Sequence, residues 1–139
     1  MKEDGIKNKK FKKDEIIIKE GTTGNEIFFI KSGSVKVYKT FNDEILELGI
    51  LRKGDFFGEL SCFLGHERTA TVQALEDTVI MIGDKKSFFA SIKRNPEMAE
   101  KVIMAFARRL IDAHRALSEM QDQKTAYKLI FQPFMDDFK

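Results

Sequence analysis

The chain has 139 residues, with 24 Lys and Arg against 22 Asp and Glu for a formal net charge of +2, and 42% of its residues are hydrophobic. This length suits one hydrophobic core, and the near balance of charge gives no case for a nucleic-acid-binding or membrane-surface protein. The charged N-terminus lacks the apolar stretch of a signal peptide, no apolar run could span a membrane, and the single cysteine fits a reducing compartment, so we expect a cytoplasmic protein without membrane contact.

The first half of the chain predicts short strands. Residues 1–10 are polar and rich in Lys, and we expect a loose polar tail there. After them, β-branched or alternating apolar runs predict strands between glycine-rich and Asx turns. The runs are residues 11–20 (three consecutive Ile), 26–31, 35–39, 45–51, 71–74 and 78–82. Their spacing of about ten residues predicts a mainly β fold with flanking helices, built on an antiparallel jelly-roll β-barrel.

The hydrophobic period changes to that of helices from Asp84 onward. Asp84 can cap a short helix over residues 84–89, and Asn95 with Pro96 can begin a long helix that ends near Gln121. Apolar positions of the long helix follow a 3-4-3-4-3 spacing, which is typical of a helix–helix seam. The seam consists of Ile103, Phe106, Leu110, Ala113, Leu117 and Met120.

Two uses of this seam stay open. The helix can pack on its own domain, or two copies can pair through residues 103–120 to form a homodimer. Residues 122–139 form a short apolar tail. Eighteen residues are too few for the three helices of a helix-turn-helix domain, so we expect no direct DNA binding by this chain.

The segment between the strands carries the candidate chemistry. Residues 54–74 read GDFFGELSCFLGHERTATVQA and place Glu59 nine residues before Arg68. The apolar run after Glu59 predicts a short helix that begins at Glu59 or Leu60, with free N–H groups that suit an anion. Arg68 can donate to the same anion, while the carboxylate of Glu59 can accept from a sugar hydroxyl. An anion next to a polyol indicates a nucleotide.

This segment resembles the phosphate-binding cassette of the cyclic nucleotide-binding domain family. The pattern stands here as residues 57–62 (FGELSC) and residues 68–72 (RTATV), and E-G-x-x-G at residues 20–24 extends the resemblance over roughly residues 11–120. The family includes catabolite-activator proteins, regulatory subunits of protein kinase A and gating domains of ion channels. The resemblance therefore implies a regulatory domain in signal transduction that binds cAMP or cGMP as a ligand, has no prosthetic group and is not an enzyme.

The resemblance also implies residue roles. The phosphate would contact Arg68, the amides of Ser61 and Ala70 and the nearby Thr69 hydroxyl, and Thr69 leaves the choice between cAMP and cGMP open, with cAMP weakly favoured. The ribose 2′-hydroxyl would contact Glu59 and the amide of Gly58, and ligand binding would reposition the long helix. His114 could cover the base, or simply face solvent. The implied ligand-binding set is Phe57, Gly58, Glu59, Leu60, Ser61, Arg68, Thr69, Ala70 and His114.

Other classes of site are less well supported. A metal-binding cupin needs clustered ligands, and the two histidines, His66 and His114, lie on a predicted loop and a predicted helix. Cys62 and His66 are four residues apart, but no third group orients them as a nucleophile pair and Cys62 is expected to be buried. Glu59 and Arg68 could also form an ordinary surface ion pair. A ligand-free interaction module and the sensor half of a truncated transcription regulator remain alternatives.

Overall fold

The computed structural model of the protein describes residues 5–119, except for the side chain of Leu117. The described residues belong to two compact units, one ending at Ser91 and the other beginning at Ile92. The strands are β1 (Ile6–Phe11), β2 (Ile16–Ile18), β3 (Glu26–Ser32), β4 (Ser34–Phe41), β5 (Glu44–Arg52), β6 (Phe56–Phe57), β7 (Thr71–Ala74) and β8 (Thr78–Asp84). The helices are α1 (Glu59–Leu64), α2 (Lys85–Arg94) and α3 (Pro96–Ser118).

The first unit contains two antiparallel sheets, helix α1 and most of helix α2. One sheet has the strand order β1-β8-β3-β6 and the other has the order β2-β7-β4-β5, with four strands in each. The predicted mainly β, jelly-roll fold with flanking helices is confirmed. Across residues 5–119 the strand hydrogen bonds end at β1 and β6 in one sheet and at β2 and β5 in the other, so the two sheets stay open and do not close into a barrel.

The hydrophobic core draws on both sheets. Strands place alternate side chains on opposite faces, so each sheet turns one apolar face inward. The rings of Phe28 and Phe57 stack there with their centroids 4.9 Å apart. Complete burial of side chains of this size stabilises the fold by about 1.5–3 kcal/mol each. The buried cluster contains Phe11, Phe28, Ile30, Val35, Phe57, Val72, Ala74, Ile80 and Ile82.

The expectation of a polar tail over residues 1–10 is wrong for residues 6–10, which belong to strand β1, while residues 1–4 lie outside the described residues. Residues 6–11 pair with β8 in register from Ile6 opposite Gly83 to Phe11 opposite Thr78. The lysines of β1 are exposed, whereas Phe11 is buried in the core. Charged side chains, lysine above all, are common on edge strands, because they discourage pairing of the open edge with another chain. The polar composition of residues 6–10 indicates that their side chains are exposed, but it does not indicate the conformation of their backbone.

The start of α2 follows the predicted cap. The Ser87 amide donates to Asp84 Oδ1 at 2.7 Å, and the Asp84 amide donates to Ser87 Oγ at 2.9 Å. This reciprocal pair satisfies two backbone donors at the beginning of the helix. The helix continues to Arg94, beyond the predicted end at residue 89.

The second unit contains α3, whose first residue is Pro96 as predicted. Val102 is buried, but Ile103 is 66% exposed and Leu110 is 53% exposed, so these seam positions face away from the described part of their own unit. Met120 of the seam, the side chain of Leu117 and the predicted tail at residues 122–139 lie outside the described residues. Among residues 5–119, no helix combines the length and the apolar character that crossing a membrane requires.

Candidate functional site

Helix α1 begins at Glu59, as the sequence predicts. Gly58 precedes it with φ 84° and ψ 6°, a left-handed conformation that favours glycine. Space also requires a glycine at this position, because a Cβ on Gly58 would lie 2.9 Å from the carbonyl oxygen of Glu26 and 3.0 Å from Arg68 Nη1. The turn before α1 is therefore fitted closely to the side chain of Arg68.

Arg68 is the buried cation of the site, with only 4% of its surface exposed. Its Nη1 group donates to the carbonyl oxygen of Glu26 at 3.1 Å and to that of Gly58 at 3.2 Å. The guanidinium carbon also lies 5.4 Å from the centre of the Phe28 ring, within the range of a cation–π contact. Three separate contacts therefore fix the orientation of this guanidinium.

Burial and the charges around Arg68 act in opposite directions on its pKa. Burial lowers the pKa of the guanidinium, and the nearby carboxylates of Glu26 and Glu59 raise it in part. An arginine guanidinium keeps its proton far above neutral pH, so Arg68 remains charged at neutral pH. A buried positive charge of this kind can attract an anion.

The main chain of Arg68 is held by the loop that connects β2 to β3. The Arg68 amide donates to the carbonyl oxygen of Thr22 at 2.9 Å, and the Gly21 amide donates to the carbonyl oxygen of Arg68 at 2.8 Å. Next to this pair, the Glu20 amide donates to Thr71 Oγ1 at 3.0 Å. The loop thus supports the site directly. The E-G-x-x-G pattern in the sequence predicted a turn and a family resemblance, but no contact with Arg68. The spacing of Gly21 and Gly24 before β3 is the sequence feature that marks this supporting loop.

The structure places eight of the nine predicted ligand residues in the first unit. Gly58 and Arg68 are in contact, and Glu59 is half-buried at the start of α1. Ser61 and Ala70 are buried, Leu60 and Thr69 are exposed, and Phe57 lies in the core. His114 is half-buried on α3 of the second unit, and its role in covering a base stays a prediction.

The geometry of the described residues also bears on two other kinds of site, a reactive thiol and a metal site. Cys62 is buried in α1, and this burial raises the pKa of its thiol, the opposite of what an activated nucleophile needs. His66, the other member of the suggested pair, is exposed. Within residues 5–119, no group of three or more His, Cys, Asp or Glu side chains could hold a metal ion.

Comparison with known proteins gives consistent matches. The family profile described as the cyclic nucleotide-binding domain matches residues 8–95. The cyclic AMP receptor protein of Thermus thermophilus is 30% identical over 119 residues, which are 82% of this chain and 55% of the relative. A cGMP-dependent protein kinase of Plasmodium berghei is 40% identical over 68 residues, which are 49% of this chain and 8% of the kinase.

A solved structure supports the same assignment. The catabolite activator protein of Thermus thermophilus superposes with a TM-score of 0.72 at 28% identity, covering 81% of this chain and 54% of that protein. The chain thus spans about half the length of this relative. With the profile match over residues 8–95, the two-sheet fold and the Glu59–Arg68 segment in place, the chain belongs to the cyclic nucleotide-binding domain family.

Proposed function

We propose that this chain is a regulatory sensor domain that binds cAMP or cGMP and performs no chemistry on it. The observation that carries this proposal is the buried guanidinium of Arg68, bonded to the carbonyl oxygen of Gly58 immediately before α1. A planar, permanently charged donor in a desolvated position is well suited to a phosphate group. Because its orientation is set before the ligand arrives, less conformational entropy is lost on binding.

The proposed ligand pose follows from the positions around Arg68. The cyclic phosphate contacts Arg68 and the amides of Ser61 and Ala70, with the Thr69 hydroxyl nearby. The first N–H groups of a helix have no partner within the helix, and Ser61 lies in the first turn of α1. The ribose 2′-hydroxyl donates to the carboxylate of Glu59 and accepts from the Gly58 amide. His114 is the proposed contact of α3 with the base.

The choice of base is part of the proposal. One relative is named for cyclic AMP and another for cGMP, and Thr69 is exposed beside Arg68. We propose cAMP as the ligand, because the relative that covers 82% of this chain is a cyclic AMP receptor protein. A hydrogen bond from the Thr69 hydroxyl to guanine, in addition to its contact with the phosphate, would instead favour cGMP.

We further propose that binding shifts α3 between pre-existing positions and that two copies pair through residues 103–120 in the cytoplasm. Exposed Ile103 and Leu110, at the spacing of a helix–helix seam, support the pairing. A ligand can shift such an equilibrium only by its difference in affinity for the two states. Hydrogen exchange along α3 with and without nucleotide tests the coupling, and unchanged exchange in a saturated protein would contradict it.

The decisive experiment is a calorimetric titration of the chain with cAMP, cGMP and 5′-AMP. We expect saturable binding of at least one cyclic nucleotide and much weaker binding of 5′-AMP, whose phosphate is an open monoester with a second charge. Absence of heat with both cyclic nucleotides, together with an unchanged melting temperature at saturating concentration, would refute the sensor function.

A further inference from the structure

Gly24 lies against the guanidinium of Arg68. A Cβ added at Gly24 would lie 2.7 Å from Arg68 Nη2 and 3.2 Å from both Cζ and Nε. The separation of 2.7 Å is shorter than real Cβ contacts, and the two separations of 3.2 Å are tighter than nearly all of them. A methyl group at residue 24 would therefore overlap the guanidinium of Arg68 along its Nη2–Nε edge.

The backbone at Gly24 gives no other reason for a glycine. Its φ lies outside the left-handed region, whereas Gly21 in the same loop has φ +84° and no atom within 4 Å of an added Cβ. The two glycines of the E-G-x-x-G pattern thus differ in role. Gly21 is required by the turn, and Gly24 is required by its neighbour.

The loop cannot move freely away from Arg68. The Arg68 amide donates to the Thr22 carbonyl oxygen, and the Gly21 amide donates to the Arg68 carbonyl oxygen. The residues just before Gly24 are therefore tied to the backbone of Arg68. Nη1 of the same guanidinium is bonded to the carbonyl oxygens of Glu26 and Gly58. A methyl group at residue 24 would consequently push the guanidinium away from these acceptors.

We propose that Gly24 is a positioning residue, whose missing side chain sets the place of the Arg68 guanidinium and thereby the affinity of the site. The inference rests on the proposed function for its effect on ligand binding. It assigns part of the phosphate affinity to the loop before β3, outside the segment of residues 54–74. The contact itself can be tested without ligand.

The test is a double-mutant cycle of Gly24→Ala and Arg68→Lys, with Thr23→Ala as a control in the same exposed loop. We expect Gly24→Ala to weaken binding of the preferred cyclic nucleotide about 10-fold or more, since a charged hydrogen-bond donor is displaced. Thr23→Ala should change it less than about 2-fold, within the range of surface substitutions. Equal affinity of Gly24→Ala and the wild type would overturn the proposal.

Urea unfolding of the four ligand-free proteins separates the contact from the function. Lysine has no Nη2 atom, so Gly24→Ala should destabilise the wild type but have little effect in the Arg68→Lys background. If Gly24→Ala alone fails to fold, the double variant should fold. Additive effects, or an equally unfolded double variant, would overturn the proposal. A wild type that binds neither nucleotide would refute the sensor function, while the unfolding cycle would still decide whether Gly24 positions Arg68.

Discussion

The guanidinium of Arg68 lies over the ring of Phe28, and that ring stacks on Phe57 with an interplanar angle of 3°. Phe28 and Phe57 are both members of the buried core. The charged group of the site is therefore supported directly by a cross-strand pair of β3 and β6 within one sheet, and we expect substitution of Phe28 to change ligand binding.

The first prediction concerns Phe28→Leu. Leucine keeps much of the apolar volume but removes the stack with Phe57 and the cation–π contact, which together contribute about 1–3 kcal/mol. We expect lower stability in urea unfolding and weaker cyclic-nucleotide binding by calorimetry. Phe29→Leu is the matched control, because Phe29 contacts Phe56 and Phe88 and its loss should reduce stability alone. Equal affinity losses in the two variants would argue against support of Arg68 by Phe28.

The second prediction concerns Arg68→Ala. Loss of this cation should leave a bound phosphate without its main partner, at a cost of about 2–5 kcal/mol, or roughly 30-fold or more in affinity. Calorimetry measures the change, and Arg52→Ala provides a control at an exposed arginine of β5. Cyclic-nucleotide affinity that survives Arg68→Ala unchanged would place the phosphate elsewhere.

The third prediction concerns the seam of α3. Leu110→Glu should disrupt the proposed homodimer, because pairing of the helices would bury the carboxylate at a cost in desolvation free energy. Light scattering should then report a monomer. Met104→Glu is the control, because Met104 is also exposed but lies outside the seam spacing. A dimer that persists in Leu110→Glu would move the interface away from residues 103–120.

The fourth prediction concerns the cap of α2 and pH. Hydrogen bonds from Ser87 hold the pKa of Asp84 below its ordinary value near 4. A carboxyl with a lowered folded-state pKa contributes stability above its unfolded pKa, and this contribution is lost as pH falls through the folded pKa. The difference in unfolding free energy between the wild type and Asp84→Asn, which cannot ionise, should therefore be largest at neutral pH and shrink in acid. Urea titrations from pH 7 to pH 2 measure it, and a pH-independent difference would contradict the role of Asp84.

The fifth prediction concerns Cys62, the single cysteine of the chain. Because it is buried and its pKa is raised, it should react slowly with thiol reagents at neutral pH in the folded protein. In urea it should react rapidly, so the labelling rate reports opening around α1. Saturation with cyclic nucleotide should slow the labelling further, and fast labelling of the folded protein would show that α1 is exposed to solvent.

Local patterns were sufficient for much of the fold and for part of the site. The alternation and turn residues placed β7 at residues 71–74 as observed, and the apolar run after Glu59 placed the start of α1. Each of these features depends on residues that are neighbours in sequence. The family pattern likewise named Gly58 and Arg68, which the structure brings into contact.

Features that depend on distant pairs were not predictable in this way. Strand β1 exists because Ile6–Phe11 finds β8 more than sixty residues later, and its exposed lysines carry no apolar period. The fit of Gly24 to Arg68 joins positions 44 residues apart, and a glycine in a turn looks the same whether or not a guanidinium lies against it. Both features depend on tertiary packing that no local window contains.

The acceptors of Arg68 Nη1 are both main-chain carbonyls, one from residue 26 and one from residue 58. Every amino acid supplies such an oxygen, so the side chain at position 26 can diverge without removing its half of the arrangement. These two bonds therefore depend on the course of the backbone at residues 26 and 58 and not on the side chain at position 26. A neutral side chain at position 26 should accordingly leave both bonds of Arg68 Nη1 in place, while it removes the nearby carboxylate that raises the pKa of the guanidinium.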